Sequence, residues 1–250
     1  MSLSTKKQDD SYWTYVSDIM TGMTIVFLFI AIIYIKKASE MAETIKDIVV
    51  DYSKIKELYE EMIKEEFSED FEYWDAIFNP EDLSFQFNSS EVLFKEGKAE
   101  LSDQFKSMLD DFIPRYIFII KNERFTGQIK AIQIEGHTSS DWGQGKQRGI
   151  DAYIKNMKLS QNRSSNVLKY ILSIDDIGED DLWTRNKLSA VGYSSSKILY
   201  DIEGQARKEN ELASRRVSFK LIMDIDSQLK KIKELGLKAD TKSCDQIKKN

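Results

Sequence analysis

The chain has 250 residues and a formal net charge of −6, with 31% of its residues charged and 41% apolar. That length allows one well-formed domain with extensions, and the acidic balance argues against nucleic-acid binding. The single cysteine, Cys244, permits no intrachain disulfide, and with one distant histidine, His137, it argues against a zinc site. There is no Ser-His-Asp order, metal cluster or glycine-rich phosphate loop, so the expectation is a protein that is not an enzyme and carries no cofactor.

Residues 1–11 form a short tail in which Lys6 and Lys7 are balanced by Asp9 and Asp10. Residues 12–35 predict a transmembrane helix. A helix over 19–35 alone reaches roughly 26 Å, a little short of a hydrocarbon core, whereas one starting at Tyr12 reaches roughly 36 Å. Tyr12, Trp13 and Tyr15 at one end and Tyr34 at the other suit two interfacial belts. The run ends in Tyr34-Ile35-Lys36-Lys37 with no small-x-small cleavage site, so it reads as a retained anchor. Inside it stands Asp18. One reading is a carboxylate favoured by the helix N-terminus; the other is an ionisable side chain that faces a partner or a water path and carries an ion. Thr14, Ser17, Thr21, Gly22 and Thr24 surround it at helical spacing with small, hydroxyl-rich side chains, which favours the second. Asp18, Ser17 and Thr21 are the candidate ion-translocating residues, for H⁺ or Na⁺.

Residues 36–80 predict a helical, dimerising linker. Met41, Ile45, Ile48, Tyr52, Ile55, Tyr59 and Met62 alternate spacings of four and three, a heptad seam suited to a parallel helix pair. Val49, Leu58 and Ile63 widen the stripe and leave open packing on the chain's own domain. Residues 67–80 are acidic and aromatic and read as a connection, with Pro80 ending any helix.

Residues 81–226 change texture. Leu83-Ser84-Phe85-Gln86-Phe87 alternates like a half-buried strand, 101–116 reads as an amphipathic helix, 129–134 as a strand, 159–172 as a helix and 216–223 as a strand. The fold class expected is α+β: one N-terminal transmembrane helix, a coiled-coil linker, and an α/β sandwich with helices on one face of a sheet. Residues 227–250 are a lysine-rich tail with no assigned role.

Two resemblances follow. Trp13-x-Tyr15-x-x-Asp18-x-Met20-Thr21 with its apolar run resembles the span of MotB-type stator subunits, in which the matching aspartate binds the translocated ion; Ser17 replaces the usual alanine. Val92-Leu93-Phe94-Lys95-Glu96-Gly97-Lys98-Ala99-Glu100-Leu101, Ile134-Glu135-Gly136-His137-Thr138, Asn156-x-x-Leu159-Ser160-x-x-Arg163 and Arg215-Arg216-Val217 resemble, in order, the motifs of the OmpA C-terminal-like family, with Gly192-Tyr193 at its glycine-aromatic turn. That resemblance implies peptidoglycan binding, with Asn156, Leu159, Arg163, Thr138 and Asp141 as candidate binding residues. An arginine fork holds a stem-peptide carboxylate in two parallel bonds, and an amide both donates and accepts. A surface ion pair for Arg163 and core packing for Leu159 are the plainer readings, while Arg215 and Arg216 are read as braces of the sheet. The chain departs from the family at Ser139, where an aspartate usually grips the ligand's ammonium and for which Asp141 is the candidate substitute. It departs again at Lys155, usually aromatic, and in a longer segment containing Trp142, Gly143 and Gly145.

The resemblances further imply a homodimer beside a polytopic MotA-like partner in the bacterial inner membrane, N-terminus cytoplasmic and C-terminal domain periplasmic. The short tail, long linker and Gly136-His137-Thr138-Ser139-Ser140-Asp141-Trp142 loop resemble the ZorB-type subunits of the Zorya anti-phage defence system, with a ZorA-like partner, more than flagellar MotB. A passive envelope tether is the alternative of another class, under which Asp18 carries no ion.

Overall fold

The computed structural model describes residues 4–88, 90–95, 98–143, 147–175, 177, 182–203, 206–224 and 230. Most of the lysine-rich tail, Cys244, and the Glu96-Gly97 turn lie outside the described residues. The chain divides into two units, residues 1–51 with 228–250, and residues 52–227.

The first unit is built on helix α1, Ser4–Phe67. Its sequence has no proline, and Gly22 is its only glycine, so nothing local interrupts the i to i−4 ladder. From Ile19 to Ile35 the large apolar side chains are exposed, Ile30 by 46% and Tyr34 by 70%. Among the described residues this is the one helix long and apolar enough to cross a membrane. The seam residues Met41 and Ile45 are also exposed.

In the second unit the seam behaves differently. Tyr59, Ile63 and Phe67, four residues apart on one helix face, are fully buried in the core, and Tyr52, Ile55, Leu58 and Met62 pack against it. From Tyr52 onward the helical linker therefore serves its own domain, which corrects the expected start of the fold at residue 81. Arg115 fastens this helix end. Its Nε donates to Glu66 Oε1 at 2.7 Å, one Nη donates to Glu66 O at 2.6 Å and to Asp70 Oδ2 at 2.9 Å, and its guanidinium lies 4.6 Å from the Phe67 ring centre.

Residues 67–80 are also more than a connection. They contain α2 (Asp70–Tyr73) and β1 (Ala76–Asn79), with Trp74 and Ala76 buried. There follow β2 (Ser84–Phe87), α3 (Ser90–Leu93), α4 (Asp103–Ile120), β3 (Ile129–Gly136), α5 (Ile150–Ile171), α6 (Leu182–Lys187), β4 (Leu188–Gly192), β5 (Tyr200–Glu203), β6 (Ala206–Glu209), α7 (Glu211–Ser214) and β7 (Val217–Met223). Among the described residues the strands form a five-stranded sheet, β1-β2-β7-β3-β4, and a separate β5-β6 hairpin. Only β3 and β4 pair in parallel, joined by the crossover that contains α5.

Ser102 caps α4 by accepting from Phe105 N, and the helix continues through Pro114. It lays Phe112 against Phe85, Phe87 and Phe219, with ring centres 4.6, 5.2 and 5.2 Å away. On the same sheet face α5 packs on β3 and β4, so the helices cover one face as the α+β expectation required. Two strand expectations change. All of β2 is buried rather than alternating, because it lies between β1 and β7 and its polar members bond locally, Gln86 Nε2 to Ser84 Oγ and Ser84 Oγ to Asp82. The motif from Val92 to Leu101, which resembles a family's opening strand and turn, holds among its described residues the end of α3 and a single bridge, Phe94 to Leu101.

Candidate functional site

Strands β3 and β4 end side by side at Gly136 and Gly192. A Cβ on Gly136 would lie 2.4 Å from Ser160 O, and one on Gly192 2.4 Å from Gln161 N. Glycine at both places lets the α5 backbone rest directly on the strand ends. The loop leaving β3 is then held from every side. His137 N donates to Arg216 O at 3.0 Å and Thr138 N to Ser194 O at 2.9 Å. Ser140 N donates to Glu209 Oε1 at 2.7 Å, and its hydroxyl to the same carboxylate. Asn156 Nδ2 donates to Ser139 O and to Asp141 O, each at 3.1 Å.

Arg163 stands one turn beyond Ser160 on α5. It is 7% exposed. Its Nε donates to Lys98 O at 3.1 Å and its guanidinium lies 4.6 Å from the centre of the buried Phe94 ring. No carboxylate pairs with it among the described residues. Burial, and then the charge of Arg215, push its pKa down to about 10. Arg215 donates from Nε to Ser139 Oγ at 2.9 Å and from Nη2 to Glu211 at 3.2 Å. A buried guanidinium without a counter-charge among the described residues makes Arg163 a candidate anion site.

Next to it lies a buried charge cluster. Glu135 Oε2 accepts from His137 Nε2 at 3.1 Å and takes Lys197 Nζ at 3.3 Å, while His137 stacks on Tyr193 with ring centres 5.4 Å apart. Arg216 donates from both Nη atoms to Lys197 O at 3.3 Å. His137 Nδ1, Thr138 Oγ1 and Arg216 Nε are buried with no hydrogen-bond partner among the described residues. Burial would raise the Glu135 pKa, but the His137 hydrogen bond and the Lys197 charge outweigh it and hold the carboxyl below its ordinary range. Burial lowers the His137 pKa, with Arg216 and Lys197 adding repulsion against the opposing pull of Glu135.

The sequence-predicted residues thus divide. Arg163 faces the site as a cation without an anion. Asn156 holds the loop by its backbone, and Leu159 is half-buried on α5. Thr138 is 4% exposed. The Asp141 carboxylate, the candidate grip for an ammonium, is buried, and its Oδ1 accepts from Arg148 Nε at 2.5 Å. Arg215 and Arg216, expected to brace the sheet, both bond to neighbouring chain, Arg216 to Lys197 O and Arg215, at the end of α7, to Ser139 and Glu211. Glu209, on a hairpin with no sequence signal, was missed.

In the first unit Asp18 is exposed on α1. Thr21 Oγ1 donates to Ser17 O at 2.8 Å and Thr24 Oγ1 to Met20 O at 2.7 Å, so both hydroxyls turn back on their own helix. Trp13, Val16, Ser17, Met20, Thr21 and Thr24 line an open groove beside it. A Cβ on Gly22, one turn beyond Asp18, would meet nothing within 4 Å.

Fold and site together define an α+β domain with a buried arginine unpaired by any carboxylate among the described residues, preceded in the chain by a helix whose apolar stretch bears one carboxylate, Asp18. No family model matches the chain. It is 39% identical over 230 residues to the Zorya protein ZorB of Escherichia coli (strain ATCC 8739), a match covering 92% of this chain and 95% of that protein. The chain belongs to the ZorB family. Among solved structures it is similar to a putative MotB-like protein from Desulfovibrio vulgaris (24% identity, 72% of this chain and 94% of that one, TM-score 0.41). It is also similar to the periplasmic domain of Helicobacter pylori MotB (20% identity, 61% and 82%, TM-score 0.40).

Proposed function

We propose that this chain is the peptidoglycan-anchored stator subunit of an ion-driven rotary motor acting in anti-phage defence. In this reading a pair of chains stands in the bacterial inner membrane beside a polytopic ZorA-like subunit, with the domain in the periplasm. The observation that carries it is Asp18, the only charged side chain between Asp10 and Lys36. A carboxylate in an apolar span is costly unless it faces a partner or water, and the exposed face around Asp18 and Gly22 leaves room for such a partner. Loading an ion there would cancel its charge and change its packing against that partner. Repeated loading and release would turn the partner, while Arg163 holds a wall carboxylate and keeps the subunit still. Membership of the ZorB family supports defence as the setting, and the exposed Met41 and Ile45 support a helix pair above the span.

The test is phage plating and swimming for cells carrying the native gene neighbourhood with Asp18→Asn, with membrane insertion checked by blot. The expected result is lost protection with normal swimming. Lost swimming would assign the chain to the flagellar motor, and protection that survives the substitution would leave a passive tether.

A further inference from the structure

The buried cluster around His137 does more than fill the open face of the sheet. His137 is the only histidine in the chain and is 2% exposed. Its Nε2 lies 3.1 Å from Glu135 Oε2, so the neutral ring carries its proton there, towards the carboxylate. A second proton would go to Nδ1, which is buried without a hydrogen-bond partner among the described residues. The charged groups facing the ring are Glu135 on its own strand β3, Lys197 in the segment after β4, and Arg216 just before β7. Glu135 is already shared with Lys197, whose Nζ lies 3.2 Å from Oε1. An imidazolium would therefore add a third cation to one carboxylate, in a place closed to water.

Lys197 belongs to a segment under tension. Its Nζ lies 3.6 Å from the centre of the Tyr193 ring, which stacks on His137. Ser194, fully buried, has a φ of 52°, a left-handed conformation that serine keeps only where its surroundings impose it. It is held there by Tyr193 N donating to Gly136 O at 2.9 Å, by Ser194 N donating to Ser160 Oγ at 3.0 Å and by Ser194 Oγ donating to Tyr153 O at 2.8 Å. Its carbonyl in turn accepts from Thr138 N at 2.9 Å. The segment thus ties the start of the Thr138-to-Asp141 loop to α5, at Ser160, one turn before Arg163. Loosening it loosens both.

We propose that His137 is an acid-operated release for the wall site: protonation of its imidazole expels Lys197, relaxes residues 193–197, and frees the loop from Thr138 to Asp141, so the hold on the wall weakens as pH falls. The proposal rests on the wall-anchor reading. The sign follows from linkage. Burial, with Arg216 and Lys197, holds the closed imidazole below its ordinary value, and opening to water restores its affinity for the proton, so acid favours the open form.

The test is sedimentation of the full chain, in detergent micelles, with purified sacculi from about pH 7.5 to about pH 5. In parallel, NMR follows the imidazole, whose signals need no assignment because the chain has one histidine. The bound fraction should fall at least about threefold over this range, tracking the imidazole titration. His137→Gln, which keeps a donor for Glu135, should hold the wall equally at both ends. An unchanged bound fraction in the unaltered chain overturns the proposal. So does an equal fall in His137→Gln, or a fall while the imidazole stays neutral; the last needs no variant. Binding at about pH 7.5 that Arg163→Met abolishes keeps the anchor reading whatever the pH dependence, whereas no binding at any pH removes both.

Discussion

If the wall-anchor reading holds, Arg163 serves function against stability. A buried cation without an anion costs free energy that an apolar side chain of similar length would not. Arg163→Met should therefore raise stability by about 1 kcal/mol in urea denaturation, offset in part by the lost contact with Phe94, while sedimentation with sacculi falls at least about tenfold. A clear loss of stability would mean that Arg163 serves the fold instead. The Glu135–His137 pair gives a second residue-scale test. His137 is held below its ordinary value in the folded chain, so between that depressed value and about 6.5 the unfolded chain binds more protons and stability falls with acid. Glu135, also depressed, contributes stability that is full above its unfolded value and is lost as pH falls through its lower folded one. Both act in the same direction, in two separate windows. His137→Gln keeps a donor for Glu135, so the denaturation midpoint should become flatter between pH 7 and 5; an unchanged slope would remove His137 from the account.

At the scale of elements, the decisive contact is the seating of α5 on Gly136 and Gly192. Ala at either position drives a methyl group into helix backbone, which cannot rotate away, and should cost about 2–3 kcal/mol. Both substitutions push the same helix, so the double variant should lose less than the sum. Strictly additive losses would show that each strand end yields independently. The end of α1 is the other element that matters. Tyr59, buried with its hydroxyl donating to that of Tyr116 at 2.9 Å, together with Ile63 and Phe67, closes the core under α4. A fragment beginning at residue 52 should give a cooperative unfolding transition, whereas one beginning at 81 should not. A cooperative transition in the shorter fragment would return these residues to the linker.

For the whole molecule, the sequence was most readable where one physical requirement acted alone. The apolar run around Asp18 and the Asn156-to-Arg163 stretch each lie on one helix, as their spacing implied. The seam beyond Tyr52 was ambiguous because the same spacing of three and four suits a second helix or the chain's own core, and only the long-range pairing with Phe112 and Tyr116 decides. The pairing of Asp141 with Arg148 was not legible because no periodicity links the two positions. The short β5-β6 hairpin has too little pattern to stand out, so Glu209 was invisible. What unites the molecule in this account is one chain that loads an ion at Asp18 and holds the wall at Arg163. The most direct measurement is uptake of H⁺ and, separately, of Na⁺ into vesicles that contain the full chain with its polytopic partner, under an imposed gradient. The account predicts uptake of one of the two ions with the unaltered chain and none with Asp18→Asn. Equal uptake by the two would contradict it, because the ion would then pass without the carboxylate.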